Sequence, residues 1–387
     1  MNNTWWLQSE DLDTDQRAVI DLPIEEDCLI VGPPGSGKTN LLLLRASFLG
    51  KSGHNNYSIV TFTRVLKEFL SSGASNYDVA VDNAQTYFSW ARQVLSENGS
   101  KVEEGENFDS TRKIIQTQLS KLSETVDQSS IVDFILIDEI QDYTQAEIET
   151  IRKFTKYIYA VGDSKQRIHI SDDTIKCIRN TFSQVRDLKY HYRNGIKICR
   201  LADGILNQVD KDESMEATSQ YNEMEMASSV KLHSCTSLDE QIHQMLPTVE
   251  TQLIAYPEEQ IGVLIPKKQD LETVIDRLKN SNLVDKCIFQ IEKNYSAFDS
   301  NRPIVVGTVH ATKGMEFRAC HFLSSETVKR FGPSQKKIAF TACTRAKTSL
   351  NVYHTDNLPP YFQQAFRYLE PKPAKPSINE LFSTNES

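Results

Sequence analysis

Two short strings in the chain place glycine, lysine and carboxylate residues at spacings that suit phosphate chemistry. The first, GPPGSGKT at Gly32–Thr39, fits the phosphate-binding pattern G-x-x-x-x-G-K-[ST]. In this pattern the glycines let backbone N–H groups approach the phosphates of ATP, Lys38 reaches the β and γ oxygens, and the Thr39 hydroxyl ligates Mg²⁺. The predicted phosphate loop therefore comprises Gly32, Pro33, Pro34, Gly35, Ser36, Gly37, Lys38 and Thr39.

The second string, DEIQD at Asp138–Asp142, places two adjacent carboxylates directly after the apolar run Ile131–Ile137. A run of this kind predicts a buried strand, with Asp138 and Glu139 at its carboxyl end. There Asp138 can hold Mg²⁺ while Glu139 orients the attacking water. Together the two strings predict a site that binds a nucleoside triphosphate.

The elements that must position these strings alternate along the chain. The apolar run Cys28–Val31 precedes the phosphate loop, the helical pattern Leu41–Phe48 follows it, and similar pairs recur in both halves. This alternation predicts an α/β fold with parallel sheets, and two similar units in tandem fit better than one large sheet. Residues Asp210–Ser229 break the pattern, since they are acidic and rich in methionine, and they predict a solvated loop.

Composition restricts the class of protein further. The chain of 387 residues is too long for one ordinary core, and its net charge of −9 means that any nucleic-acid surface must be local. The seven cysteines include no C-x-x-C pair, which predicts reduced thiols rather than zinc ligands or disulfides. No apolar stretch approaches the roughly 18 residues of a membrane span, and the N-terminus does not resemble a signal peptide. We therefore expect a cytoplasmic protein without a membrane partner.

Further strings occur in a fixed order around the two described above. They are LDTDQRAV (Leu12–Val19), IVTFTR (Ile59–Arg64), TYFSWA (Thr86–Ala91), VGDSKQ (Val161–Gln166), LKYHYR (Leu188–Arg193), GTVHATKGMEF (Gly307–Phe317) and FTACTRAK (Phe340–Lys347). Taken together and in this order, the strings resemble the superfamily 1 helicases of the UvrD/Rep type over roughly residues 12–353.

The resemblance implies two tandem RecA-like P-loop NTPase domains with parallel sheets and an ATP site in the cleft between them. We expect an N-terminal ATP-binding domain at residues 1–185, with a short helical insert at about 93–130, and a C-terminal helicase domain at residues 186–365. Residues 366–387 contain prolines and many polar residues, which predicts a disordered tail.

The resemblance also implies roles around the nucleotide. Gln16 matches the position that reads adenine, and Tyr192 matches the aromatic residue that stacks on it. Gln166 matches the residue that senses the γ-phosphate and positions water, and Glu316 lies in the motif that contacts nucleotide and strand.

Arg193 and Arg345 resemble the two arginines that the second domain offers to the γ-phosphate bound by the first. Such arginines offset the charge that spreads over the transferring phosphoryl oxygens, and each is worth on the order of 10³–10⁵ in rate. The alternative is that both form surface salt bridges.

The positions that match strand-contacting residues of the family are Phe62, Thr63, Arg64, Thr86, Tyr87, Thr308 and His310. In the family such residues follow the phosphates of one strand and stack its bases without sequence preference. Phe62 and Tyr87 could instead be aromatic residues of the core.

Two departures from the family pattern bear on function. Relatives usually carry an aromatic–arginine pair against the bound strand where this chain has Ser171 and Asp172. The inserted subdomains of relatives, which touch the duplex, are reduced here to about forty residues between Trp90 and Ile131 and a short segment before Pro303. Both departures put independent duplex separation in doubt.

Two functions therefore stay open. The leading one is an ATP-driven motor, a DNA translocase or helicase, that acts on single-stranded nucleic acid with single-stranded DNA as its expected partner. The alternative is an ATP-gated regulatory or assembly subunit of a nuclease complex, in phage defence or DNA repair, with weak or no unwinding of its own.

Overall fold

The computed structural model describes residues 12–62, 67, 70, 77–80, 83–125, 132–163, 174–209, 211–291, 294–295, 301–312, 314–329 and 333–369. Three predicted site residues lie outside these ranges, namely Thr63, Arg64 and Gln166. Ser171, Asp172 and residues 370–387 of the predicted tail also lie outside them. Within the described residues, no helix is both long and apolar enough to cross a membrane.

The first sheet holds both phosphate-chemistry strings at the same edge. Its strands within the described residues are β1 (Cys28–Val31), β2 (Tyr57–Thr61), β3 (Ala84–Thr86), β4 (Val132–Ile137), β5 (Thr155–Gly162) and β6 (Gln184–Asp187). They pair in the order β3-β2-β4-β5-β1-β6, and every pair is parallel. The carboxyl ends of β1 and β4 therefore lie on either side of β5, which brings the loop after β1 near the carboxylates after β4.

Helices cover this sheet, which is why its central strands are apolar on both faces. They are α1 (Thr14–Ile20), α2 (Lys38–Lys51), α3 (Tyr87–Glu97), α4 (Phe108–Leu122), α5 (Gln145–Arg152) and α6 (Thr174–Ile178). The described part of the expected insert at about 93–130 contains the end of α3 and the whole of α4.

The second sheet repeats the plan. Its strands within the described residues are β7 (Ser229–Ser234), β8 (Ile261–Ile265), β9 (Cys287–Ile291), β10 (Asn294–Tyr295), β11 (Ile304–Thr308), β12 (Phe317–Phe322) and β13 (Ala346–His354). They pair in the order β10-β9-β11-β8-β12-β13-β7, and all pairs are parallel except the edge pair of β9 and β10. Around them lie α7 (Ile196–Leu206), α8 (Leu238–Ala255), α9 (Lys268–Lys279), α10 (Pro333–Thr344) and α11 (Pro360–Ala365). The predicted fold class, two α/β units in tandem with parallel sheets, is confirmed.

The described part of the expected solvated loop, residues 211–228, contains no helix or strand and exposes Asp212, Glu213 and Met224, but it is packed against the protein at some points. Met215 is fully buried, and the carboxylate of Asp203 accepts its N–H at 2.8 Å. The carboxylate of Glu223 accepts the N–H of Ile196, the first residue of α7, at 2.6 Å. Glu223 and Met215 therefore anchor the segment to α7 through backbone hydrogen bonds.

The close approach of α7 and α11 gives a prediction about stability. A Cβ atom at Gly204, inside α7, would lie 2.8 Å from the main-chain Cα of Ala365 in α11. We expect Gly204→Ala to lower the free energy of unfolding by about 1–3 kcal/mol, since the helices must move apart. Gly50→Ala in α2 is the matched control, because its nearest atom would be 3.9 Å away, and it should raise that energy by up to about 1 kcal/mol. Urea denaturation measures both, and equal effects would contradict the packing argument.

Candidate active site between the two sheets

The phosphate loop joins the carboxyl end of β1 to the first turn of α2. Gly35 and Gly37 adopt φ angles of +78° and +81°, a left-handed conformation that side-chain-bearing residues rarely adopt. These two glycines let the loop curl round and end at the N-terminus of α2, where free N–H groups attract anions. The Lys38 ammonium lies inside the curl and donates to the carbonyls of Gly32 at 3.0 Å and Pro33 at 2.8 Å.

The electrostatic surroundings of Lys38 are mixed. Burial lowers its pKa, and the neighbouring charge of Arg193 acts in the same direction. The carboxylates of Asp163, Glu139 and Asp138 oppose that shift. A cation held by three carboxylates at the edge of one sheet suits the binding of a polyphosphate that brings its own metal ion.

Asp138 and Thr39 form the predicted metal site. The Thr39 hydroxyl donates to Asp138 Oδ2 at 3.0 Å, and Asp138 is buried at the end of β4. Burial, followed by the charge of Glu139, raises the pKa of Asp138 to about 7, although Thr39 and Lys38 partly offset the shift. A buried carboxylate beside a hydroxyl is an all-oxygen donor pair that fits Mg²⁺, and the charge of the ion would favour the ionised carboxylate.

Glu139 is held in a strained conformation. Its φ of +53° lies in the left-handed region, which is unusual for a residue with a side chain and costs of order 1 kcal/mol. The side-chain amide of Gln141 donates to the Glu139 carboxylate and accepts the N–H of Asp163 at 2.9 Å. Gln141 therefore ties the Glu139 carboxylate to the end of β5. Sequence reasoning missed this role, although the residue is the glutamine of the DEIQD string.

Two arginines that follow β6, the last strand of the first sheet, complete the pocket. Arg193 and Arg345 are both buried, and the same short segment holds both guanidinium groups. Arg193 pairs with the Glu316 carboxylate, and Arg345 Nη1 donates to the Met315 carbonyl at 2.9 Å. Both arginines line one pocket with the phosphate loop, while their contact with a γ-phosphate and their effect on rate stay predictions.

The charges of Arg193, Arg345 and Glu316 influence one another. Burial lowers the pKa of Arg345 to about 10, and the charge of Arg193 adds to the shift, so the group stays cationic at neutral pH. Burial alone would raise the pKa of Glu316, but Arg193, Lys347 and Arg345 outweigh it and the pKa is lowered. Glu316 therefore stays ionised. It pairs with Arg193 and neutralises part of the positive charge of the two arginines.

Arg193 reaches the phosphate loop directly. A Cβ atom at Gly35 would lie 2.6 Å from Arg193 Cβ, and the Tyr192 N–H donates to the Gly35 carbonyl at 3.1 Å. Among the described residues, Arg193 Nη2 is buried without a hydrogen-bond partner. A buried donor in this position beside a phosphate loop fits a ligand that carries anionic oxygens.

The pocket between the two sheets thus gathers most of the predicted ATP-site residues. Those that line it are Pro34, Gly35, Gly37, Lys38, Thr39, Asn40, Asp138, Glu139, Arg193, Gly314, Glu316 and Arg345. Asn40 and Gly314 were not predicted as site residues, although Asn40 directly follows Thr39 and Gly314 lies within the string Gly307–Phe317.

Gln16 and Tyr192, the two residues expected at adenine, lie beside the loop. Gln16 is buried; its Nε2 donates to the Ser36 carbonyl at 3.0 Å and its Oε1 accepts the Asp13 N–H at 3.0 Å. Tyr192 is 37% exposed, and its hydroxyl donates to the Asp13 carboxylate. Both contacts join α1 to the nucleotide pocket through Asp13, which sequence reasoning missed, and the adenine roles stay predictions.

Among the described residues, the expected strand-contacting side chains of Phe62, Thr86 and Tyr87 do not line this pocket. Tyr87 is 0% exposed and Phe62 is 7% exposed, and their rings meet Tyr143 edge to face. Thr86 accepts the N–H of Ser89 and so caps the start of α3. This burial favours the core alternative for the two aromatic residues, and base stacking by them stays a prediction.

Two further expected strand contacts follow β11. The Thr308 hydroxyl is buried and accepts the N–H of Ala311 at 3.1 Å, which shapes the turn after the strand. His310 is half-buried in the same turn. Their contact with nucleic acid also stays a prediction.

Comparison with known proteins concerns mainly the part of the site that residues 15–172 contribute. Residues 15–172, less than half of the chain, match a family model described as an AAA domain. A search of curated proteins gave no significant match. Among solved structures, the C-terminal domain of a possible DNA helicase from Lactobacillus plantarum WCFS1 is similar to 46% of this chain over 96% of its own length, with 14% identity and a TM-score of 0.33. The family match shows that the chain carries an AAA-type domain, which implies nucleotide binding with a metal ion.

The distinct positions of Lys38 and Glu139 give a prediction. We expect Lys38→Ala to weaken ATP binding and to lower turnover by on the order of 10² or more, because its ammonium lies within the loop that receives the phosphates. We expect Glu139→Gln to keep ATP affinity and to lose turnover, because that carboxylate acts on the attacking water. Titration calorimetry with ATP and steady-state phosphate release measure the two effects.

Lys51→Ala, in the same helix as Lys38, and Glu149→Gln, on the exposed face of α5, are matched controls that should keep both properties. An equal loss of ATP affinity in Lys38→Ala and Glu139→Gln would show that the two residues do not divide the work in this way.

Proposed function

We propose that the chain is an ATP-dependent motor on single-stranded nucleic acid, a DNA translocase or helicase of the UvrD/Rep type in superfamily 1. One observation carries the proposal: Arg193 and Arg345, which both follow the last strand of the first sheet, line the same pocket as Lys38 and Glu139, which lie after strands β1 and β4 of that sheet. A pocket that needs both sets of residues is sensitive to their relative position, which is what a motor driven by ATP requires.

The residues divide the hydrolysis of ATP to ADP and phosphate among them. Lys38 and the loop N–H groups hold the β and γ phosphates, and Glu139 orients a water in line with the γ-phosphorus. Mg²⁺, held by Thr39 and Asp138, would neutralise charge on the β and γ oxygens. Arg193 and Arg345 stabilise the charge that spreads over the γ-phosphoryl oxygens as the bond to ADP breaks. Gln166 assists in positioning water.

The cycle proposed for the motor follows from this division. ATP draws together an N-terminal domain at residues 1–185 and a C-terminal domain at residues 186–365, because its γ-phosphate attracts arginines of the second domain. Hydrolysis removes that attraction and lets the domains separate. Thr63, Arg64, Thr308 and His310 would hold single-stranded DNA during this cycle, in the cytoplasm.

A second function is favoured by a specific observation on the strand side. Phe62 lies beneath the Arg112 guanidinium, whose centre is 4.8 Å from the ring, and Tyr87 is fully buried. Neither ring is available to a base in this arrangement, and the net charge of −9 adds no attraction for phosphates. The chain would then be an ATP-gated regulatory or assembly subunit of a nuclease complex in phage defence or DNA repair.

The shared pocket predicts what loss of either arginine does. We expect Arg193→Ala and Arg345→Ala each to lower turnover by at least about 10², with a smaller effect on ATP affinity, because their charge is needed most as phosphoryl charge redistributes. Arg277→Ala is the matched control, since this exposed arginine pairs with Asp239 away from the pocket. Near wild-type turnover in either pocket variant would mean that the substituted arginine does not complete the active site.

The two functions predict different responses to nucleic acid. For the motor we expect the ATPase rate to rise several-fold with single-stranded DNA, and this stimulation to fall steeply with salt because phosphate contacts supply most of the affinity. The rate is measured without nucleic acid and with single-stranded DNA, duplex DNA and RNA in turn. A rate that none of the three nucleic acids changes would sink the motor and favour the regulatory subunit.

A further inference from the structure

Asn194 lies directly after the first pocket arginine and bonds to the chain on both sides of the second. Its side chain is completely buried. Its Nδ2 donates to the carbonyl of Thr344 at 2.9 Å and to the carbonyl of Ala346 at 2.6 Å. Those two residues flank Arg345, so a single amide group grips the backbone that carries that guanidinium.

The orientation of this amide follows from its partners. Two carbonyl oxygens can only accept, so the nitrogen of Asn194 must face them and the oxygen must face the other way. On that side Asn194 Oδ1 lies 3.4 Å from Arg193 Nε. The same side chain therefore touches the guanidinium of one arginine and the main chain of the other.

The backbone around Asn194 reinforces the link. The Gly195 N–H donates to the Lys347 carbonyl at 2.9 Å, two residues beyond Arg345. The Asn194 carbonyl accepts the Ser219 hydroxyl at 3.2 Å, which ties it to the packed segment 211–228. Residues 193–195 and 344–347 thus run side by side, joined through the asparagine.

We propose that Asn194 is a positioning residue that fixes the distance between the two pocket arginines. This inference rests on the proposed function, since Asn194 acts only through Arg193 and Arg345. The two guanidinium groups carry like charges and repel each other, so their spacing needs a restraint that is independent of charge. Two hydrogen bonds from Asn194 to backbone carbonyls provide this restraint. A buried carbonyl without a donor is costly, so movement of the amide away from both carbonyls is unfavourable.

The experiment compares steady-state ATP hydrolysis by variants of the full chain. We expect Asn194→Ala to lower kcat by about 10- to 100-fold with KM for ATP changed by less than about threefold, since a misplacement of about 1 Å can cost 10² in rate. Asn194→Asp keeps the size of the side chain but replaces the donor with an acceptor, so kcat should fall at least as far. Asn194→Asp also serves as the deciding variant if circular dichroism shows that Asn194→Ala does not fold.

Asn351→Ala is the matched control. Asn351 is a buried asparagine of β13, the strand that begins at Ala346. Its partners are Ser349 and His233 and not residues of the two arginine segments. We expect this substitution to lower the midpoint of thermal unfolding and to leave kcat within about twofold of the wild type.

A combination of variants tests whether Asn194 acts through the arginines. In the Arg193→Ala/Arg345→Ala background, adding Asn194→Ala should lower the residual phosphate release by less than about twofold, because nothing is left to position. A further loss as large as that in the wild-type background would overturn the inference. Wild-type kcat in both Asn194 variants, with the arginine variants impaired, would overturn it and leave the proposed function standing. Wild-type turnover in both single arginine variants would overturn the proposed function and the inference together.

Discussion

The site depends on the burial of two guanidinium groups next to each other at the junction of the two sheets. Arg193 and Arg345 are both almost fully buried, and burial, followed by the neighbouring charge of Arg193, lowers the pKa of Arg345 to about 10. Removing an unpaired charge from water costs several kcal/mol, so this pair exists only because opposite charges are close. Glu316 and Glu139 are those charges, and they come from different halves of the chain. A polyphosphate in the same pocket would extend the balance in the same direction.

The way the arginines are held makes the pocket a unit. Met315 and Glu316, adjacent in the chain, each hold one arginine, and the next residue begins β12. The Phe317 N–H donates to the Arg345 carbonyl at 2.9 Å, so the arginine backbone is fixed to that strand as well. Arg193 packs on the phosphate loop at Gly35. A shift of the second sheet therefore moves both cations together. The phosphate loop, which Arg193 contacts at Gly35, would be affected directly.

The sequence predicted those parts of the fold and the site that depend on local order. Glycines at fixed offsets, an apolar run before each carboxylate, and alternating strand and helix patterns are all encoded within about fifteen residues, and the two sheets and the pocket follow from them. The burial of Met215 within the loop 211–228 was not predicted, because its hydrogen bond to Asp203 in α7 cannot be inferred from composition. Gln16 and Gln141 each bond through the side-chain amide to backbone that is distant in the sequence. The sequence alone does not distinguish such a glutamine from any other. Arg112, which covers the Phe62 ring, is fifty residues away in the sequence, so no local pattern predicts this contact.

Either proposed function requires the ATP site to be sensitive to a second surface, and the structure offers a continuous set of contacts for this. Arg112 on α4 covers the ring of Phe62, which follows β2 and is one of the predicted strand-contacting residues. The same guanidinium donates to the Asp142 carbonyl at 2.8 Å and to the Glu147 carboxylate at 2.6 Å. Asp142 closes the DEIQD string that carries strained Glu139. The reduced insert therefore does more than fill a gap between strands, because its helix joins the end of β2 to the carboxylate motif. In a motor that junction would face the nucleic-acid strand, and in a regulatory subunit it would face a protein partner, while the buried contacts beneath it would be the same.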